Sequence, residues 1–289
     1  MRPFFLLIKW PVERLLNFND SVFHAIPFTL MLLLMFLLAW RLASLGVAAF
    51  ILVELIVIAM LGVWDQAVTT PSLIATAIVF CAAIGIPIGI WCARSDRVWR
   101  IVRPVLDIMQ TTPTFVYLVP VVMLFGVGTV PGEVAVVITA MPPLIRFTYL
   151  GIRMVDHEIV ETGLAFGADK RQLLWEVQLS LTIPTILGGL NQTVLTAMVM
   201  SVVIAMMGAE GLGLVVLQGL GRLDVGQAAI GSIAIVLLAM MLDRITQKLA
   251  QSKGGTRSAL LPVLARFHPG WTGFQKRGGR HGPTMLEKE

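Results

Sequence analysis

Residues able to do chemistry are scarce in this chain of 289 residues, and their placement is unusual. Glu54 is the one acid deep in a long apolar run, and Arg146 is a cation in another. Ionisable groups within a membrane are costly and often mark ion or solute pathways. A long arginine side chain can also snorkel to the membrane edge, the simpler expectation for Arg146; the role of Glu54 stays open. Two neutral polar clusters accompany them: Gln110, Thr111 and Thr112 before Pro113, and Asn191, Gln192 and Thr193. Both could line a path for a polar solute, with Gln110, Thr111, Thr112, Asn191 and Thr193 as candidate lining residues. Proline at a helix start and hydrogen bonding between helices explain the same residues without a path. Bond-making machinery is missing: there is no HExxH, no GxSxG and no pair of aspartates near a membrane edge. Cys81 and Cys92 share one apolar run without metal-ligand spacing, so they read as packing residues. The stretch "GLAFGADK" lacks the spacing of GxxxxGK[ST] and a preceding strand, so no P-loop is present. The expected chemistry is binding and movement, without a cofactor, and any ATP-driven role needs a separate ATPase.

Composition sets the class. The chain is 57% hydrophobic and 13% charged, with a mean hydropathy of +0.85. Soluble domains carry about 25% charged residues, so a polytopic all-α membrane protein is expected. A net charge of +5 does not point to nucleic acid, because the basic residues are spread over loops beside apolar runs. The N-terminal stretch 1–20 has too short an apolar part for a signal peptide and reads as an amphipathic segment at the membrane surface.

A spanning helix needs about 20 mostly apolar residues. Seven runs qualify: 21–40, 42–64, 66–93, 108–132, 134–152, 177–209 and 225–242. Trp40, Trp64 and Trp91 fall at or near the ends of the first three, as interfacial aromatics do. Pro113, Pro120 and Pro131 should bend the fourth, while Pro142, Pro143 and Arg146 interrupt the fifth. Arg94, Arg97, Arg100 and Arg103 stand between runs three and four, and Arg153, Lys170 and Arg171 between runs five and six. The opposite loops 65–70, 126–133 and 209–224 hold only Arg222, so the 153–184 loop and the C-terminal tail are cytoplasmic. Seven crossings then put the N-terminus outside, against Arg2, Lys9 and Arg14. Either that segment lies on the outer surface or the first hairpin does not cross twice.

The loop between runs five and six, "ETGLAFGADKRQLLWEVQLS" (161–180), is the polar exception in the chain's middle. Val155, Ile159, Gly163 and Phe166 recur at helical spacing and give one apolar face. Gly167 can end that helix in the left-handed region. Asp169 with Gln172 forms a capping box for a second helix, whose stripe is Leu173, Val177 and Leu181. Such a pair suits a groove on a partner protein, or else rests at the lipid interface.

The loop also resembles the cytoplasmic loop of ABC importer membrane subunits, whose pattern is Glu-Ala-Ala, three residues, Gly, nine residues, Ile-x-Leu-Pro. Glu161, Gly167, Val177 and Leu179 match; Thr162, Gly163 and Ser180 depart from it. The segments "LDIMQTTPTFVYLVPVVMLFGVGTVPG" (106–132), "FGADKRQLLWEVQLSLTIPTILGGLNQT" (166–193) and "GLGRLDVGQAAIGSIAIVLLAMMLDRITQ" (219–247) look like glycine betaine/proline betaine permeases, the family of quaternary-amine and choline uptake. The likeness runs from about residue 60 to 250.

The resemblance implies a type I ABC importer permease fold in a bacterial inner membrane, with about seven spans and a coupling-helix loop. It implies a permease homodimer, an ATP-binding subunit and an external solute-binding protein. Glu161, Ala165, Phe166, Gly167, Ala168, Lys170 and Arg171 would then seat in the ATPase. Glu210, Gly211 and Gly213, in the glycine-rich 208–226 stretch, would form an outer gate beneath the binding protein. The expected organisation is the segment 1–20, a peripheral hairpin 21–64, a core 65–250 with the coupling loop 153–184, and a basic, disordered cytoplasmic tail 251–289. An ion-coupled secondary transporter or channel is the second reading. It calls for inverted repeats and intramembrane ion ligands, and neither stands out.

Overall fold

The structure is a computed structural model that describes residues 2–42 and 44–254. The described residues hold twelve α-helices and one π-helix, Leu173–Gln178: α1 Arg2–Ala25, α2 Phe28–Leu42, α3 Leu45–Met60, α4 Trp64–Arg94, α5 Asp96–Thr111, α6 Thr114–Phe125, α7 Thr129–Arg153, α8 His157–Ala165, α9 Lys170–Gln172, α10 Leu179–Ala205, α11 Leu212–Gly221 and α12 Val225–Gly254. Most of the tail expected beyond 250 lies outside the described residues, although α12 carries its first four residues as helix.

Four helices are long and apolar enough to cross a membrane alone: Trp64–Arg94, Thr129–Arg153, Lys170–Ala205 and Val225–Ala250. Two bent pairs raise the count to six if each is one span: Lys9–Ala25 with Phe28–Leu42, bent by 100°, and Asp96–Thr111 with Thr114–Phe125, bent by 99°. The seven expected crossings therefore come down to between four and six. The run 42–64 falls outside even the count of six. Its helix α3 has 16 residues, about 24 Å at 1.5 Å per residue, short of a hydrocarbon core of about 30 Å. It stops before Gly62, whose φ is +73°. If each bent pair is one span, six crossings put α1 and the end of α12 on one side, which suits Lys9 and Arg14 in the cytoplasm.

The proline expectations divide. The fourth run does bend, at Thr112 and Pro113 between α5 and α6. Pro142 and Pro143, by contrast, sit inside an unbroken α7. Both are buried against neighbouring helices, where freed backbone groups are better tolerated than in lipid.

Close approach of helices builds the core, since lipid offers no hydrophobic drive for helix association and small residues must let backbones meet. The pair α7 and α10 packs most extensively, followed by α4 and α7. A Cβ on Gly151 would come within 2.3 Å of Thr182 Cγ2, and one on Gly189 within 2.7 Å of Phe147 Cβ. Gly89 on α4 is closed in the same way by Thr148, at 2.6 Å. Around these crossings lies one apolar cluster that includes Ile51, Leu55, Cys81, Leu144, Met198, Leu212, Leu238 and Met241.

Helix α1 packs on α4, where Asn19 Nδ2 donates to Thr76 Oγ1 at 2.9 Å and Ser72 Oγ donates to Asp20 Oδ1 at 3.3 Å.

Candidate functional site

The cytoplasmic elbow begins where α7 ends at Arg153. Asp156 caps α8 by accepting from the Glu158 N–H at 3.1 Å, and Glu158 in the first turn suits the positive end of the helix. Gly167 ends the helix as expected, with φ +84° and no atom within 4 Å of a would-be Cβ. Its requirement is therefore backbone conformation alone. The next turn is closed by the Asp169 N–H donating to Gln172 Oε1 at 2.9 Å. The second helix is not a separate short one. It widens into π-helical turns over Leu173–Gln178 and runs on into α10.

The elbow's apolar residues divide between two directions. Leu173 and Leu174 are buried, and a Cβ on Gly163 would meet Leu173 Cδ1 at 2.8 Å. Val155, Ile159 and Gly163 are half-buried, so most of the expected docking face turns inward and holds the elbow to the bundle. What points outward is Leu164, Phe166 (57% exposed) and Trp175. Glu161, Ala165, Gly167, Lys170 and Arg171 are exposed beside them, and Ala168 is half-buried. His157 Nδ1 lies 3.2 Å from Glu161 Oε1 on this exposed surface.

Helix α5 straps the elbow's root to the bundle. Arg153 pairs with Asp96 and Arg146 with Asp107. Between them Trp99 stacks on Tyr149 at 3.8 Å, with 11° between the planes. Arg146 is thus held by an acid from another helix.

The structure does not gather the candidate path residues into one place. Gln110 and Thr111 are exposed at the end of α5, and Thr112 is half-buried. Thr111 Oγ1 donates to the Asp107 carbonyl at 2.9 Å, and Thr112 Oγ1 to that of Ile108 at 2.7 Å. Asn191 Nδ2 donates to Asp243 Oδ1 of α12 at 3.0 Å, and its Oδ1 accepts from Thr246. Thr193 is buried and donates to the Gly189 carbonyl at 3.0 Å.

At the opposite end, Glu210 is exposed while Gly211 and Gly213 are buried. The Leu212 N–H donates to Thr70 Oγ1 at 2.9 Å. A Cβ on Gly211 would lie 2.8 Å from that same oxygen, and one on Gly213 would lie 2.1 Å from the Ser201 carbonyl. The two glycines let α11 start hard against α4 and α10.

Comparison with known proteins reads this arrangement. Residues 85–253, which include the elbow, match the family described as binding-protein-dependent transport system inner membrane component. The chain belongs to that family. Among relatives, it is 47% identical over 259 residues to the glycine betaine/proline betaine transport system permease protein ProW of Escherichia coli (strain K12), covering 89% of this chain and 73% of that one. It is 44% identical to the glycine betaine transport system permease protein OpuAB of Bacillus subtilis (strain 168), covering 79% and 81%. Among solved structures, a chain of the inward-facing MetNI methionine ABC transporter aligns with a TM-score of 0.58 at 18% identity, over 64% of this chain and 92% of that one. That likeness shows the fold. The protein is the inner-membrane permease of an ABC system, and ATP hydrolysis belongs to another subunit.

Two features of this permease escaped sequence reasoning. Glu133 falls between two apolar runs and reads as a loop acid, yet α7 begins at Thr129 and buries it to 2% exposure without a hydrogen-bond partner. The ties from α5 to α7 were also missed. Their one signal was two acids, Asp96 and Asp107, amid arginines, with Arg146 and Arg153 some 40 to 60 residues on.

Proposed function

We propose that this permease imports glycine betaine, proline betaine or a related quaternary amine such as choline, and that it works as a homodimer by alternating access. The observation that carries the solute class is the 47% identity, over 89% of the chain, to a permease named for glycine betaine and proline betaine. A permease of Listeria monocytogenes named for glycine betaine and carnitine is 46% identical over 70% of this chain, which supports the wider class.

The chain's own residues serve mechanics rather than recognition. An aromatic cage is the usual holder of a quaternary ammonium, but Tyr149 is covered by Trp99, with the Arg153 guanidinium 5.8 Å from its ring centre. The Tyr117 hydroxyl donates to the Ile108 carbonyl at 3.1 Å. Selection among solutes therefore falls to the external binding protein. Leu164, Phe166, Lys170 and Arg171 seat in the ATPase subunit, with Glu161, Ala165 and Ala168 flanking them and Gly167 setting the elbow's turn. ATP binding draws two such elbows together and opens the spans outward; hydrolysis reverses the motion. The segment 65–250 is the working core, and 21–64 is peripheral to it. Glu210, Gly211 and Gly213 stand at the outer end, where the binding protein delivers solute. Gln110, Thr111 and Thr112, at the bend into α6, line the inner mouth; Asn191 serves the α10–α12 contact first, and Thr193 bonds within α10.

The test is uptake of labelled glycine betaine, proline betaine and choline into liposomes holding the permease. The ATPase, the binding protein and lumenal ATP are each omitted in turn. Uptake that needs all three is the expected result. Uptake by the permease alone on an ion gradient would replace this reading with a secondary transporter.

A further inference from the structure

Helix α5 is the strongly amphipathic helix of the bundle, and among the described residues its outer face stays exposed. Its axis turns 99° from that of α6, so the two do not form one straight helix. Its only acids, Asp96 and Asp107, are both held by α7 arginines. Arg97, Arg100 and Arg103 are left exposed at three-residue spacing, with Arg94 one step before them at the end of α4. Beside this basic column Ile101 (71% exposed), Val105 and Ile108 also face outward, on the next sector of the same helix. Leu106 is buried against the bundle and Trp99 stacks on Tyr149, which fixes the helix's rotation.

A column of uncompensated arginines next to a strip of aliphatic side chains matches the layering of a bilayer's polar boundary, with anionic headgroups over acyl chains. The arginine bias already places this end in the cytoplasm. We propose that α5 lies in the cytoplasmic headgroup layer and binds anionic phospholipid through Arg97, Arg100 and Arg103, with Ile101, Val105 and Ile108 entering the acyl boundary. The ion pairs to α7 hold this lipid-bound helix against the root of the elbow. Arginine forks hydrogen-bond phosphate oxygens more than once, so a phosphate diester is the fitting ligand. The ATPase is the other candidate occupant, but the elbow offers it a separate exposed surface, and an aliphatic strip beside the arginines gains most from lipid.

The experiment uses the full chain, purified in mild detergent and mixed with equal amounts of phosphatidylglycerol and phosphatidylcholine, with bound lipid counted by native mass spectrometry. Retained phosphatidylglycerol should exceed phosphatidylcholine several-fold. The triple variant Arg97→Gln, Arg100→Gln, Arg103→Gln should lose most of that preference, and the triple lysine variant should keep most of it. Elution of each variant as the same folded species as wild type guards against a folding effect. If the glutamine variant folds and keeps the preference, the proposal is overturned. It is equally overturned if that variant keeps the lipid but no longer retains the ATPase subunit, since α5 would then be a protein-docking helix.

Discussion

Thr70 and Leu212 are 142 residues apart in sequence, yet the Leu212 N–H donates to the Thr70 hydroxyl at 2.9 Å in a buried site. The same hydroxyl donates to the Gln66 carbonyl at 2.8 Å, so one side chain closes its own helix and anchors the start of α11. Thr70→Val keeps the shape and strands a buried N–H, at a cost of about 1–3 kcal/mol. Thermal unfolding in detergent should show a clear drop for valine and little change for serine. Equal stability of valine and wild type would remove the anchor from the account.

Gly151 of α7 leaves no room for a side chain against Thr182 of α10. Gly151→Ala forces a methyl onto Thr182 Cγ2 and also toward Thr185, whose Cβ would be 3.1 Å away. Overpacking of this kind costs about 1–3 kcal/mol. Adding Thr182→Ser removes the struck methyl, so the double variant should recover part of the lost stability. A double variant no better than Gly151→Ala would place the clash elsewhere.

Gly167 needs a positive φ and has open space around it, so residues should rank by backbone tolerance. Asparagine, which visits the left-handed region, should support near-normal uptake; valine, whose branched Cβ resists it, should not. The strained elbow should leave ATP hydrolysis in place while lowering the solute moved per ATP. The check is the ratio of uptake to phosphate release in the assembled transporter. A Gly167→Val ratio matching wild type would mean the turn is not needed for coupling.

Arg146 and Asp107 join α7 to α5 at a half-exposed position, so their pairing is worth about 0.2–1 kcal/mol. Asp107→Asn and Arg146→Gln should therefore couple weakly but measurably in a double-mutant cycle of unfolding. Strict additivity of the two would show the strap carries no energy.

Much of this was legible in the sequence because apolar length and arginine bias act locally. The run 66–93, the basic cytoplasmic side, the Gly167 turn and the Asp169–Gln172 cap all follow from residues within a few positions of one another. What could not be read needed distance. Whether 42–64 crosses depends on where its helix stops, and the stop at Gly62 is one backbone choice among several for that stretch. The inward turn of Val155 and Ile159, which leaves Leu164 and Phe166 outside, depends on Leu173 filling the space beside Gly163. The burial of Glu133 and the Thr70 anchor likewise exist only once α4, α7 and α11 have met.

The most direct test of the central claim, that the elbow is the handle for a separate ATPase, is a photo-crosslinker placed at Phe166 in the assembled transporter. A second is placed at Val53, an exposed residue on α3. The Phe166 position should yield an adduct with the ATPase subunit, and the Val53 position should yield none. An active, ATP-driven transporter in which Phe166 never reaches the ATPase would contradict it.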